Sequence, residues 1–167
     1  MRARIANPRY REGILENRTK HSGKNKDGET VDKGYSLNFG NKSEEAREVF
    51  EFLASKTKVE FSIVDIGSPG SEAVGNSVVS TSYNEENEPI GAILAEKASR
   101  GGGLIRYDHS HPYYDAQEAN QSPSDYYYKK RINENTQNLI NNPGKKPNVK
   151  YTIPKLNVYH QFKYIDF

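Results

Sequence analysis

The chain has 167 residues, with 24 Lys+Arg against 22 Asp+Glu and a formal net charge of +2. That length fits one domain, and the charge balance argues against a dedicated nucleic-acid binder, which usually carries a lopsided basic charge. The absence of Cys excludes disulfides, thiol catalysis and all-Cys zinc sites, so any metal must be held by His and carboxylates. No run of about 18 apolar residues exists, so no membrane span is expected, and Met1-Arg2-Ala3-Arg4 leads into no apolar stretch of the kind a signal peptide needs.

The near-neutral total hides an uneven distribution. Residues 1–34 carry a net +4, residues 35–125 a net −8, and residues 126–167 a net +6. Asn, Gly, Lys, Arg and Glu dominate the first 33 residues, where Ile5, Ile14 and Leu15 are almost the only aliphatics. Such a stretch buries too little surface to offset its ordering entropy, so 1–33 reads as a flexible tail or junction and 34–167 as the folded domain.

From Gly34 onward the elements follow in order. Tyr35–Phe39 alternates apolar and polar, as a half-buried strand does. Asn41 and Glu44 stand at capping-box spacing, and Ala46, Val49, Phe50 and Leu53 then predict a helix over about 43–56. Val59–Ile66 reads as a strand with Val59, Phe61 and Ile63 on one face and Glu60, Ser62 and Val64 on the other. Val78–Tyr83 is a further strand, and Asn84–Pro89 a polar turn. Ile90, Ile93, Leu94 and Ala98 share a helix face that Gly101-Gly102-Gly103 ends. Leu104–Ser110 is a strand. Ser122-Pro123 opens a helix that runs to about Ile140. Two strands close the chain, Asn148–Ile153 and Val158–Ile165, joined around Pro154–Asn157. This order implies a single α/β domain with a sheet covered by helices.

The chemistry concentrates in His109-Ser110-His111-Pro112. Residues two apart on a strand project to the same side, so His109 and His111 can offer two imidazoles to one metal, with Ile105 and Tyr107 before them on that face. Taken alone, such a pair also fits ordinary hydrogen-bonded histidines. Ser122-Pro123-Ser124-Asp125 places a hydroxyl and a carboxylate three apart at a helix start. Asp125 can therefore complete a His, His, Asp set with one position left for water, the arrangement of a catalytic zinc site. The same pattern is also a common helix cap. Glu60 is the candidate proton carrier, and it reads equally as an exposed strand-end Glu.

Together these residues resemble the JAB/JAMM (MPN-plus) zinc metallopeptidases, whose pattern is Glu, then His-Ser/Thr-His-Pro, then Ser-x-x-Asp. The element order from Tyr35 to the C-terminus is similar as well. The resemblance implies a JAB/MPN-like mixed β-sheet flanked by helices, with His109, His111 and Asp125 holding Zn²⁺, Glu60 as general base and Ser122 as oxyanion donor. The ten residues between His111 and Ser122 make a longer loop than the family's. Loop length is thermodynamically cheap, and Asp115 within it is an alternative carboxylate. Tyr113 and Tyr114 flank the motif and either line a substrate groove or pack against the sheet.

Within that family the chain is most similar to the bacterial JAB-like domains of polymorphic toxins. That likeness implies hydrolysis of a peptide or isopeptide bond in a protein substrate, delivery into a target cell as part of a larger toxin, action in that cell's cytoplasm during interbacterial competition, and a cognate immunity protein. Two other readings stand beside it. One is an inactive MPN-like scaffold that binds protein. The other is a nuclease toxin using His21, His109, His111 and His160 with the basic ends, against which the acidic middle argues.

Overall fold

A computed structural model describes residues 18–83, 88–111, 123–160 and 163–166. Among them lie seven strands, β1 (Arg18–Lys24), β2 (Thr30–Asn38), β3 (Ser62–Ile66), β4 (Asn76–Thr81), β5 (Leu104–Ser110), β6 (Lys155–His160) and β7 (Lys163–Asp166), and three helices, α1 (Ser43–Lys56), α2 (Pro89–Arg100) and α3 (Pro123–Asn141). The strands form one mixed sheet in the order β1-β2-β4-β3-β5-β6-β7. All pairs are antiparallel except β5 with β6, and α3 is the helix of that parallel crossover.

Alternation along each strand divides the core between two faces. Leu37, Phe61, Ile63, Val79 and Tyr159 pack under Ala46, Val49, Phe50 and Ala54 of α1. On the opposite face Val64, Leu104, Tyr107, Leu156 and Val158 pack under Ala92 and Ala95 of α2 and Ile132 of α3. The α1 stripe follows the expected spacing. Helix α2 instead buries Gly91, Ala92, Ala95 and Ser99 in place of the expected Ile90, Ile93, Leu94 and Ala98, with Ile93 exposed, because the small residues let the helix lie close to the sheet. The sheet is thus covered on both sides, as the JAB/MPN-like reading requires.

The differences from expectation are local. The sheet begins at Arg18 rather than near Gly34, because residues 18–38 form a hairpin. Its strength is polar and therefore invisible to a hydrophobicity reading. The two strands share a backbone ladder, Lys20 pairs with Asp32 at 3.2 Å, and His21 Nε2 lies 2.9 Å from Ser36 Oγ. In the turn, Asn25 Oδ1 accepts from the amides of Asp27 and Glu29. Residues 1–17 lie outside the described part.

Helix α1 spans the expected residues, but Lys42 is its N-cap and makes no side-chain cap bond. A turn in which Asn38 Oδ1 accepts from Gly40 N sets the entry, so the Asn41–Glu44 capping box does not form. Near the C-terminus Asn148–Ile153 is not a strand, and the residues expected to link two strands begin β6 instead. Tyr151 covers the backbone of Gly102, where an added Cβ would lie 2.3 Å from its ring. The chain here packs over a loop rather than joining the ladder, and Ile153 is exposed. Pro154, with no amide to donate, stands immediately before β6.

Candidate metal centre

Strand β5 is buried on both faces, and it separates two clusters. Toward α1 it presents Arg106, Asp108 and Ser110. Arg47 of α1 donates to Asp108 Oδ2 at 2.5 Å and to Asp65 Oδ2 at 3.0 Å. Arg106 pairs with Asp108 at 2.7 Å, and Asn157 donates to Asp108 Oδ1 at 2.7 Å. Ser77 donates to Asp65 Oδ1 at 2.5 Å. Tyr164 accepts from Arg47 and donates to Glu51 at 2.6 Å. Burial works against the Arg47 charge, but Asp108, Tyr164 and Asp65 outweigh it and push its pKa up. Burial, helped by Glu51, pushes the Tyr164 phenol up.

Toward α2 and α3 the same strand presents Tyr107 and His109. The register sets His109 opposite Ser62 of β3 and beside Val158 of β6. Its ring is 2% exposed and stacks on Tyr107, with centroids 5.7 Å apart and an interplanar angle of 23°. His111 follows just past the end of β5, its amide donating to Tyr159 O at 3.1 Å. Asp125 sits in the first turn of α3, where a carboxylate is favoured by the helix dipole.

The three side chains meet. His109 Nε2 lies 3.1 Å from His111 Nε2. Asp125 Oδ1 is 3.1 Å from His109 Nε2, and its Oδ2 is 3.4 Å from His111 Nε2. One donor atom from each residue lies within 4.8 Å of the others. Donors at Zn–N and Zn–O lengths of about 2.0–2.1 Å around a tetrahedral ion stand roughly 3.3–3.4 Å apart, so these separations suit one small cation. A neutral imidazole nitrogen carries at most one proton. His109 Nε2, close to both His111 and Asp125, cannot satisfy both contacts with a single hydrogen, whereas one cation engages all three groups together. The donor set, two imidazoles and a carboxylate, is one that zinc accepts.

Glu60 is buried, 7% exposed, two residues before β3 rather than within it. It is therefore not the exposed strand-end Glu of the alternative reading. Burial pushes the Tyr107 phenol well above its ordinary value, and Glu88, Asp125 and Glu60 push it further. Those three carboxylates thus lie within electrostatic reach of one buried ring beside His109. Ser122, Tyr113, Tyr114 and the alternative carboxylate Asp115 lie outside the described residues.

Glu88 was not anticipated. It caps α2 and is 3% exposed. Its Oε2 accepts from Ser62 at 2.5 Å, Ser80 at 3.1 Å and Gly91 N at 2.8 Å, and its Oε1 from Ser82 at 3.0 Å and Ile90 N at 3.1 Å. Ser62 faces His109 across the ladder, so Glu88 ties the start of α2 to the strand beside the imidazoles. Gly91 makes this approach possible, since a Cβ there would lie 1.7 Å from Ser62 Oγ. An acid directly before a Pro at the first helical position is the same start signature as Ser122-Pro123, and it marks the cap in the sequence.

A mixed, doubly covered sheet with a His-x-His strand facing a helix-borne Asp defines a domain of the JAB/MPN-like class. The chain belongs to the JAB-like toxin 1 family, whose family model matches residues 38–143, more than half of its length. Neither the curated proteins nor the solved structures give a match. The protein is accordingly a toxin domain, and among the described residues no helix is long and apolar enough to cross a membrane.

Proposed function

We propose that the domain is a zinc-dependent peptidase or isopeptidase that acts as the toxic part of a larger bacterial polymorphic toxin. The observation that carries this reading is the meeting of His109, His111 and Asp125 at the separations of a single ion's ligands, in a chain of the JAB-like toxin family. His109, His111 and Asp125 would hold Zn²⁺. In that position zinc supplies Lewis-acid polarisation of a scissile carbonyl and a water acidic enough to react near neutral pH.

The remaining chemistry belongs to the chain. Glu60 accepts a proton from the attacking water as the oxygen–carbon bond forms, then returns it to the amine as the carbon–nitrogen bond breaks. Ser122, expected at the start of α3, donates to the oxygen that gains negative charge. Tyr113 and Tyr114 are assigned to the substrate side of the site. The substrate is a protein or peptide of the invaded cell, and competition between bacteria calls for a cognate immunity protein that covers the site in the producer.

The test joins metal content and hydrolysis. Purified protein should bind about one zinc per chain and cleave fluorescein-labelled casein. Asp125→Ala should lose both properties. Glu60→Gln should keep the zinc and lose at least about 10²-fold in rate. A wild-type chain that takes up no zinc at saturating metal, or a Glu60→Gln variant of undiminished rate, would overturn the reading.

A further inference from the structure

Glu60 is buried, yet it stands outside the backbone ladder of the sheet, since β3 begins at Ser62. The peptide group that joins Glu60 to Phe61 is held instead by two side-chain hydroxyls. Thr81 Oγ1, at the end of β4, donates to Glu60 O at 2.8 Å. Ser110 Oγ, at the end of β5, accepts from Phe61 N at 2.9 Å. Both hydroxyl residues are 1% exposed. Extending the registers of β3 by one residue sets Phe61 opposite both of them.

In an antiparallel hydrogen-bonded pair the two residues ordinarily exchange both backbone bonds. Here Ser110 N donates to Phe61 O at 2.8 Å, but the return bond goes to the Ser110 side chain. A single peptide plane is thus gripped at its oxygen from one neighbouring strand and at its N–H from the other. Because the peptide is planar and contains the Cα of Glu60, fixing that plane anchors the point from which the Glu60 side chain springs.

We propose that Thr81 and Ser110 are positioning residues that together orient Glu60 toward the metal centre. Ser110 then has a function of its own between the two imidazoles. His109 and its ring neighbour Tyr107 face α2 and α3, while the intervening hydroxyl reaches sideways and holds the base to the ligand strand. This inference rests on the peptidase reading for its effect on rate, but the grip itself is measurable without it.

The experiment uses the zinc-loaded chain. Thr81→Val removes a hydroxyl at constant shape, and Ser110→Ala removes the other. Each should slow casein cleavage by roughly 10- to 100-fold, the scale on which small misplacement of a reacting group acts, while about one zinc per chain is retained. Thr81→Ser and Ser110→Thr, which keep the hydroxyls, should hold the rate within a few-fold of wild type. In Ser110→Ala the Phe61 amide should exchange with deuterium at least about tenfold faster, because its acceptor is gone and exchange reports local opening. Unchanged exchange at Phe61 overturns the grip whatever the activity. Wild-type rates in both Thr81→Val and Ser110→Ala, beside an inactive Glu60→Gln, overturn the positioning role and leave the peptidase reading standing. Activity that falls only in step with lost zinc assigns the hydroxyls to the ligands instead and also overturns it. Should Ser110→Ala fail to fold, Thr81→Val decides the outcome alone.

Discussion

The two faces of β5 bury charge in opposite ways. Toward α1, Asp65 and Asp108 meet Arg47 and Arg106, and amide, hydroxyl and phenol groups occupy further positions around them. Charge is matched there, two carboxylates against two guanidinium groups. Toward α2 and α3, the three carboxylates of Glu60, Glu88 and Asp125 crowd one buried phenol, and Asp125 is paired with imidazoles that are charged only when protonated. The first arrangement is finished as folded, whereas the second has the charge and donor spacing to take a cation. Buried charge alone therefore does not mark a site; the sign left over does.

The sharpest way to break this comparison is to unbalance the matched face. Arg47→Leu strips a buried pair of carboxylates of a shared guanidinium, and removing one partner of a buried ion pair typically costs about 3–5 kcal/mol. Urea denaturation should show a loss of that order, while the molecules that remain folded should still bind zinc. If zinc uptake fails in folded Arg47→Leu, the two faces are not independent.

A smaller effect is expected when the other face is filled. Zinc at 100 times its dissociation constant should raise wild-type stability by about 2.7 kcal/mol, by mass action. Asp125→Ala should show no such gain at the same zinc concentration, and thermal denaturation with and without metal reads the difference. An equal gain in both proteins would place the ion elsewhere.

The smallest effect lies at the α2–α3 seam. Burial pushes the Glu96 carboxyl up, but hydrogen bonds from Arg100 and Arg131 outweigh this and hold its pKa below the ordinary value. A carboxyl lowered by folding adds stability above its unfolded pKa, and that contribution disappears as pH falls through the folded value. Both arginines reach out toward solvent, so the contribution is less than about 1 kcal/mol. Glu96→Gln should lose it at neutral pH and flatten the acid side of the stability–pH curve below about pH 4.5. An unchanged acid limb would show that the seam contributes nothing.

How much of this was legible in the sequence depended on which force builds each part. Helix α1 and strands β3, β4 and β5 were readable because apolar periodicity places them against the sheet, and α3 because Ser122-Pro123 marks its start. Helix α2 was readable as a helix but not in its buried face, which is made of small residues such as Ala92 and Ala95. The gathering of His109, His111 and Asp125 was readable because strand period and helix-start chemistry each constrain a side chain's direction. The β1–β2 hairpin was not, because backbone bonds and polar pairs such as Lys20–Asp32 hold it. Tyr151 and Ile153 alternate like strand residues, yet a long-range contact at Gly102 sets their path. The cap role of Glu88 is marked by Pro89, but its tie to β3 and β4 was not legible, since only the folded chain brings Ser62, Ser80 and Ser82 to its carboxylate. The matched charges of Arg47, Asp65 and Asp108 come from three separate elements, and no local spacing announces them.

The parallel pairing of β5 with β6 has a consequence for the order of events during folding. A chain folded only through β5 already has His109 on that strand and His111 just past its end, but no acid opposite them. To bring Asp125 there, α3 must cross back along the sheet before β6 can zip to β5, a long-range closure of the kind that is slow relative to hairpins. Asp125 therefore reaches the two imidazoles late, and only once the C-terminal strands close. A chain cut before Lys155 lacks both the strand that holds the His111 amide through Tyr159 O and the pairing that closes the α3 crossover.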